Sequence, residues 1–200
     1  MPLVYAEKRE LKHYYICKLF VEGAIVLFAV STLWLIVNAV YMGIRPQAEI
    51  RLEDTGFAYR TELLIGYIQC GYSHLPQNAE IISSKAFCVG FMLLGIITRN
   101  LPFLFIFNEI RQILRTIQNS HSPFVPAIVR NTKRVGIALI LLGVLGELVL
   151  QGGMSLAAYH VLSVTNPFEF AWIFSGIIVL LVSDIFDRGC ELQQFSDETL

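Results

Sequence analysis

The sequence predicts an all-α integral membrane protein, a bundle of four transmembrane helices. Hydrophobic residues make up 55% of its 200 residues and charged residues only 16%, whereas a soluble globular domain carries about 25% charged residues. The apolar residues also fall into four runs, each close to the roughly 20 residues with which a helix crosses a bilayer. We therefore expect a single domain over residues 1–200, with helices at about 19–42, 86–110, 135–158 and 168–186.

The polar interval between the second and third apolar runs determines the predicted orientation. It carries five basic residues against a single acid, Glu109, and an excess of Lys and Arg is typical of cytoplasmic loops. The five are Arg111, Arg115, Arg130, Lys133 and Arg134. With this loop inside, four spans place both termini inside as well. The predicted location is the cell membrane, where the chain is a multi-pass protein in contact with the lipid bilayer.

A loop of about forty residues, 44–85, lies outside the membrane in this topology. Two pieces of it, Ala48–Leu52 and Phe57–Ile68, flank a turn signal at Asp54–Gly56. The sequence leaves two structures open for the second piece, a strand of a small hairpin or an amphipathic helix lying on the bilayer. Because unstructured loops of this length are uncommon, we expect a structured cap over the helix ends. Ligand sensing is the functional alternative for the same loop.

The residue types that carry chemistry form no catalytic or metal-binding pattern. The four cysteines and four histidines show no CxxC or paired-histidine spacing, so we expect no enzyme, no cofactor and no metal. Cys70 and Cys88 both fall on the outer side, and the sequence leaves open whether they are bridged or free. A net charge of −1 argues against direct nucleic-acid binding, which needs clustered basic residues.

Two charged residues stand inside the second and third apolar runs. Arg99 lies about twelve residues before the basic loop and Glu147 about thirteen after it. At ~1.5 Å per residue both are roughly 18–20 Å from the inner surface, where a lone charge costs several kcal/mol or more. We therefore predict an ion pair between Arg99 and Glu147, completed by Asn100 or Gln151. It is either a proton- or ligand-responsive element or a buried clasp that fixes helix register.

Two stretches of the second half carry a family pattern. In SPFVPAIVRNTKRVGIALI, a Pro-Phe pair precedes an Asn and an Arg, here Pro123, Phe124, Asn131 and Arg134. In the tail DIFDRGCELQQFSDETL, an Ile-Phe pair is followed by a Gly and a Glu-Leu pair, here Ile185, Phe186, Gly189, Glu191 and Leu192. Both stretches resemble the signature of a bacterial membrane family known as domain of unknown function 2975. The long outer loop and Arg99 depart from the pattern of that family.

The resemblance implies a four-helix membrane protein, encoded beside a small helix-turn-helix regulator that it senses, holds or inhibits. The residues that would dock this partner are Pro123, Phe124, Arg130, Asn131, Arg134, Gly189 and Glu191. The basic loop and the acidic tail either clasp one another or present this docking face. In the structural alternative, Pro123 and Phe124 only begin the third helix, and the arginines contact anionic lipid headgroups.

Two functional hypotheses follow from these observations. The leading one is a non-enzymatic membrane protein that acts as a regulatory or accessory partner, with a cytoplasmic helix-turn-helix regulator as the implied partner. The alternative is a small transporter or channel-like protein that uses Arg99 and Glu147, in which case the chain is expected to form a homo-oligomeric pore. An enzyme ranks third, because no nucleophile–base set is present in the sequence.

Overall fold

The computed structural model describes residues 2–71, 81–120 and 124–198, with the side chains of 14–71, 81–120, 124–195 and 198. Helices and short strands form in this part of the chain. The helices are α1 (Pro2–Ile44), α2 (Ser84–Gly95), α3 (Leu101–Ser120), α4 (Pro126–Met154) and α5 (Phe170–Glu198). The strands are β1 (Glu53–Asp54), β2 (Ala58–Glu62) and β3 (Tyr67–Gly71).

Four helical stretches of the described residues are long and apolar enough to cross a membrane, which confirms the predicted number. They are Tyr14–Ile44, Ser84–Ser120, Pro126–Tyr159 and Phe170–Phe195. The helices extend beyond the predicted boundaries: α1 begins at Pro2 rather than near residue 19, and α5 ends at Glu198 rather than near residue 186. Apolar runs mark only the part of a helix that lipid can cover, whereas Glu, Lys, Leu and Gln continue a helix into water.

Two wider, π-helical turns interrupt the long helices. Ile96–Asn100 joins α2 to α3, and the N–H of Leu101 donates to the carbonyl of Ile96. Pro102 explains this turn, because its ring carries no N–H and clashes with the carbonyl four residues earlier in a regular α-helix. The second turn, Ser155–Tyr159, ends α4. Such turns occur often at functional sites.

The contacts within the chain divide it into two compact units. The first unit comprises Met1–Phe28, Phe103–Ile140 and Phe174–Leu200. The second unit comprises Ala29–Pro102 and Leu141–Ile173.

In the first unit, aromatic rings and glycines set the spacing of the helices. Phe28 of α1 stacks on Phe103 of α3, with 5.1 Å between the ring centroids. Gly136 of α4 faces Gly176 of α5 so closely that a Cβ on Gly136 would lie 2.8 Å from Leu180. Small residues let helix backbones approach, and close packing is the main attraction between helices in lipid. The α4–α5 pair therefore depends on the missing side chains of these glycines.

The second unit has its own hydrophobic core, to which α1, α2, α4 and the sheet contribute. Its buried members include Ala39, Met42, Cys70, Phe87, Cys88, Met92, Leu150, Met154 and Tyr159. The sheet is antiparallel in the order β1–β2–β3. The piece Phe57–Ile68 thus forms strands around a turn, and the interfacial helix that the sequence left open does not form there. The fold is mostly helical with this small sheet added, rather than purely α.

The sheet is tied to α1 by two polar side chains of that helix. Asn38, which is buried, accepts a hydrogen bond from the N–H of Leu64 at 3.1 Å. The indole N–H of Trp34 donates to the carbonyl of Ile65 at 3.2 Å. The N–H of Leu64 and the carbonyl of Ile65 both lie on the turn between β2 and β3, where Gly66 has a φ of 86°. The described part of the loop after α1 is therefore folded against that helix.

Cys70 and Cys88 are both buried as free thiols, so the disulfide that the sequence left open is not formed. Burial, and secondarily the negative charge of Glu147, raises the pKa of the Cys70 thiol to about 12. A thiol of this kind stays protonated at neutral pH and behaves as a small apolar group.

Candidate functional site

The connection between α4 and α5 runs back along α4 without forming a helix. The N–H of Glu169 donates to the carbonyl of Gly143 at 2.8 Å, and the N–H of Thr165 donates to the side chain of Gln151 at 2.7 Å. Helix α5 therefore begins beside Gly143, although α4 continues to Met154, about 16 Å further at ~1.5 Å per residue. Non-helical backbone in a membrane protein needs such internal partners. The predicted fourth helix begins at residue 168, and the sequence analysis did not anticipate the return along α4.

This return places Glu169 against Arg99. The two groups form a bidentate ion pair, with Nη1 of Arg99 2.8 Å from Oε2 and Nη2 2.5 Å from Oε1 of Glu169. Nη2 of Arg99 also donates to Oε1 of Glu147. Planar guanidinium groups are suited to carboxylates in this two-point arrangement. One arginine thus joins the π-helical turn after α2, the middle of α4 and the start of α5.

Within this cluster the two carboxylates have different surroundings. The side chain of Glu147 is only 4% exposed, whereas that of Glu169 is 25% exposed. The second oxygen of Glu147 accepts a hydrogen bond from Nε2 of Gln151 at 3.0 Å. Glu169 immediately precedes α5, and its carbonyl accepts from the N–H of Trp172 at 3.1 Å. Its carboxylate is stabilised by the positive end of the helix dipole, while that of Glu147 depends on its side-chain partners.

The structure brings the predicted residues Arg99 and Glu147 together and supplies Gln151 as a further donor. The side chain of Asn100 contacts α1 instead, where its Nδ2 donates to the hydroxyls of Ser31 and Thr32. Sequence reasoning missed Glu169. The predicted fourth helix of 168–186 includes Glu169, and only the non-helical return along α4 brings it to Arg99.

The predicted docking residues lie in the first unit, and two of them meet there. The ring of Phe124 lies directly over Gly189 of α5, so closely that a Cβ on Gly189 would collide with it. The same ring packs edge-on against Phe186, with 6.3 Å between centroids. The two sequence stretches that carry the family pattern therefore contact each other. Pro123 lies outside the described residues, and α4 begins at Pro126.

The remaining docking residues differ in exposure. Arg130 and Glu191 are exposed, whereas Asn131 is buried. The Oδ1 of Asn131 and the Oε2 of Glu109 are both buried, and neither has a hydrogen-bond partner among the described residues. Orphaned buried acceptors of this kind are rare in folded proteins.

The ion pairs described for the basic loop do not go to the acidic tail. Arg134 pairs with Glu109 of α3, with 3.6 Å between Nη1 and Oε1. Arg111 pairs with Glu22 of α1 at 3.1 Å. These acids lie on α1 and α3, at the ends of the apolar runs. Arg111 and Arg134 therefore do not form the predicted charge contacts between the basic loop and the acidic tail.

Comparisons with protein-family models, with curated proteins and with solved structures find no match to this chain. The resemblance to domain of unknown function 2975 accordingly stays a prediction. Among the described residues, no three His, Cys, Asp or Glu side chains come close enough together to hold a metal ion.

Proposed function

We propose that this chain is a multi-pass protein of the cell membrane that acts, without enzymatic activity, as a regulatory or accessory partner of a cytoplasmic protein. The observation that carries the proposal is the contact between Phe124 and Gly189, since it joins the α3–α4 connection to the start of the tail. Phe124 is 40% exposed, and aromatic residues are enriched in protein-binding surfaces.

The exposed basic residues of the first unit indicate the chemistry of the partner. Arg115, Arg130 and Lys133 are exposed, and none of these three has an ion pair among the contacts described for the first unit. An acidic protein face complements them, and such complementarity raises the association rate and selects the partner. The resemblance adds an identity for that partner, a small helix-turn-helix regulator encoded beside the gene.

Co-purification with the neighbouring helix-turn-helix protein tests this proposal. We expect Arg130→Ala to weaken binding about tenfold, in line with about 1–2 kcal/mol for a lost charged contact. Arg51→Ala, which removes the same charge from the loop between α1 and α2, is the matched control and should bind normally. Equal binding by both variants and the native chain, or no binding by the native chain, contradicts the proposal.

A small transporter or channel-like protein is the second candidate, and one specific observation favours it. Helix α5 begins partway along α4 beside the Arg99–Glu147–Glu169 cluster, with a non-helical segment before it. Interrupted helices whose ends meet charged groups inside the membrane are typical of ion and substrate sites in transporters. Buried ionisable residues in spans also mark such pathways by default.

Flux through reconstituted liposomes tests the second candidate. If Glu147 takes part in transport, Glu147→Gln should abolish a proton flux that a pH-sensitive dye reports inside the vesicles. The exposed Glu62 of β2 provides the control, and Glu62→Gln should leave the flux unchanged. Native protein that shows no flux above empty liposomes removes this candidate and leaves the regulatory proposal untouched.

A further inference from the structure

The first unit contains a cleft between α1 and α3, at the ends of their apolar stretches. Two polar contacts cross it. The hydroxyl of Tyr14 donates to Oε1 of Gln118 at 2.7 Å, and further along the cleft Arg111 donates to Glu22. Between these two contacts the cleft is lined by Lys18, Val21, Leu114 and Arg115.

The two contacts determine which residues face each other across the cleft. The helices are antiparallel there, because an early residue of α1 meets a late residue of α3 and a later residue of α1 meets an earlier one of α3. Lys18 lies midway between the contacts on α1, and Leu114 and Arg115 lie midway on α3. Lys18 and Arg115 therefore reach the same level of the cleft from its two sides.

The charges in the cleft do not balance. Both oxygens of Glu22 are engaged by Arg111, through Nε at 3.1 Å and Nη2 at 3.3 Å. Neither Lys18 nor Arg115 has an ion pair with any described residue. Two positive charges on facing helices repel each other, and one anion between them would turn this repulsion into two attractions. The cleft thus has the charge of an anion site.

The position of the cleft indicates what carries the anion. The stretch that can cross a membrane begins at Tyr14 in α1 and ends at Ser120 in α3. In a bilayer the cleft therefore lies at the level of the headgroups. Leu19 and Phe20 of α1, beside the cleft, are 76% and 70% exposed, and Leu114 adds apolar surface within it. An anion attached to acyl chains fits both the charge and the apolar surface.

We propose that this cleft binds the phosphate group of an anionic phospholipid, held by Lys18 and Arg115. Arg115 supplies a planar guanidinium group that can donate two parallel hydrogen bonds to phosphate, and Lys18 supplies a compact charge. Arg111 is a positioning residue, because it neutralises the Glu22 carboxylate that would otherwise repel the phosphate. Basic pockets between transmembrane helices bind lipid headgroups in this way. The site requires a bilayer around the helices, but neither a particular orientation nor a protein partner.

Thermal unfolding of the purified full chain in a neutral detergent tests the proposal. Dioleoylphosphatidylglycerol, dioleoylphosphatidylcholine and inorganic phosphate are added to separate samples at the same pH and ionic strength. At roughly ten times its dissociation constant, phosphatidylglycerol should raise the unfolding midpoint by about 3–5 °C. The other two should leave it unchanged, since one headgroup is zwitterionic and inorganic phosphate has no acyl chains. An equal rise with phosphatidylcholine, or with inorganic phosphate, overturns the assignment to an anionic lipid.

Two double variants identify the residues that hold the lipid. Lys18→Gln with Arg115→Gln should lose most of the rise with phosphatidylglycerol. Arg130→Gln with Lys133→Gln removes the same charge from exposed positions of α4 and should keep the rise. A full response in the first double variant, or an equal loss in both, overturns the proposal.

Native mass spectrometry of the native chain provides a second measurement, which holds even if the first double variant does not fold. At equal lipid concentrations, the chain should retain phosphatidylglycerol in preference to phosphatidylcholine. Equal retention of the two lipids contradicts the proposal. A regulator that fails to co-purify leaves this lipid site unaffected, so the two proposals fail separately.

Discussion

Glu169 holds Arg99 with both of its carboxylate oxygens, at 2.5 and 2.8 Å, although the two residues are 70 positions apart. The pair fixes the start of α5 against the turn between α2 and α3. Glu169→Gln removes the negative charge and one of the two acceptor oxygens, because the amide Nε2 is a donor and cannot accept from Arg99. Breaking a fully buried pair costs about 3–5 kcal/mol, and because about a quarter of each side chain is exposed we expect about 1–3 kcal/mol here. The unfolding midpoint in detergent, compared with that of Glu62→Gln, measures the loss; equal midpoints would contradict the expectation.

The number of apolar helices could be predicted from the sequence, because hydropathy depends only on local composition. The meeting of Arg99 with Glu147 also followed from counting residues along two antiparallel helices. Glu169 could not be found this way, since the non-helical segment before α5 changes its depth by about 16 Å at ~1.5 Å per residue. Whether the buried oxygens of Glu109 and Asn131 find hydrogen-bond partners depends on atomic contacts, and no sequence pattern reports such contacts. Orientation in the membrane remains a prediction that needs its own experiment.

Gly143 of α4 packs directly against the start of α5. A Cβ there would lie 2.7 Å from the side chain of Ile173 and 2.9 Å from the carbonyl oxygen of Glu169. Backbone cannot yield as a flexible side chain does, so Gly143→Ala should destabilise the fold by about 1–3 kcal/mol through overpacking. Gly95→Ala is the control, because nothing lies within 4 Å of its Cβ position. That variant should be neutral or stabilising by up to about 1 kcal/mol, since Ala favours helix over Gly. Thermal unfolding that shows the same sign for both substitutions would argue against this packing.

A double-mutant cycle can measure the coupling energy between Phe124 and Gly189, which are in contact. Gly189→Ala puts a methyl group where the Phe124 ring lies, and we expect a loss of about 1–3 kcal/mol. In a Phe124→Ala background the methyl group meets no ring, so the same substitution should cost much less. The coupling between the two positions should therefore exceed about 0.5 kcal/mol, the limit for independent sites. Additive effects on the unfolding midpoint would mean that the ring does not rest on Gly189.

The Cys70 thiol should make the protein sensitive to alkali. Its folded-state pKa of about 12 lies above the ordinary value of 9.0, so the folded chain retains a proton that the unfolded chain releases. The stabilisation is therefore complete below pH 9 and is lost as the pH rises towards 12, by up to ~1.4 kcal/mol per pH unit. Cys70→Ala should flatten the decline of the unfolding midpoint between about pH 9 and pH 11. The exposed Cys17 supplies the control, and a decline that Cys17→Ala flattens equally would assign it to other groups.

Labelling with a membrane-impermeant maleimide decides the orientation on which the regulatory proposal rests. The excess of basic residues between the second and third apolar runs predicts that this stretch faces the cytoplasm and that the sheet faces outward. In a chain whose four native cysteines are replaced by alanine, Phe57→Cys introduces a thiol at a side chain that is 67% exposed on the loop between α1 and α2. It should react in intact cells. Lys133→Cys, exposed on α4, should react only after the membrane is permeabilised. The reverse pattern would place the docking residues outside the cell, where a cytoplasmic regulator cannot reach them.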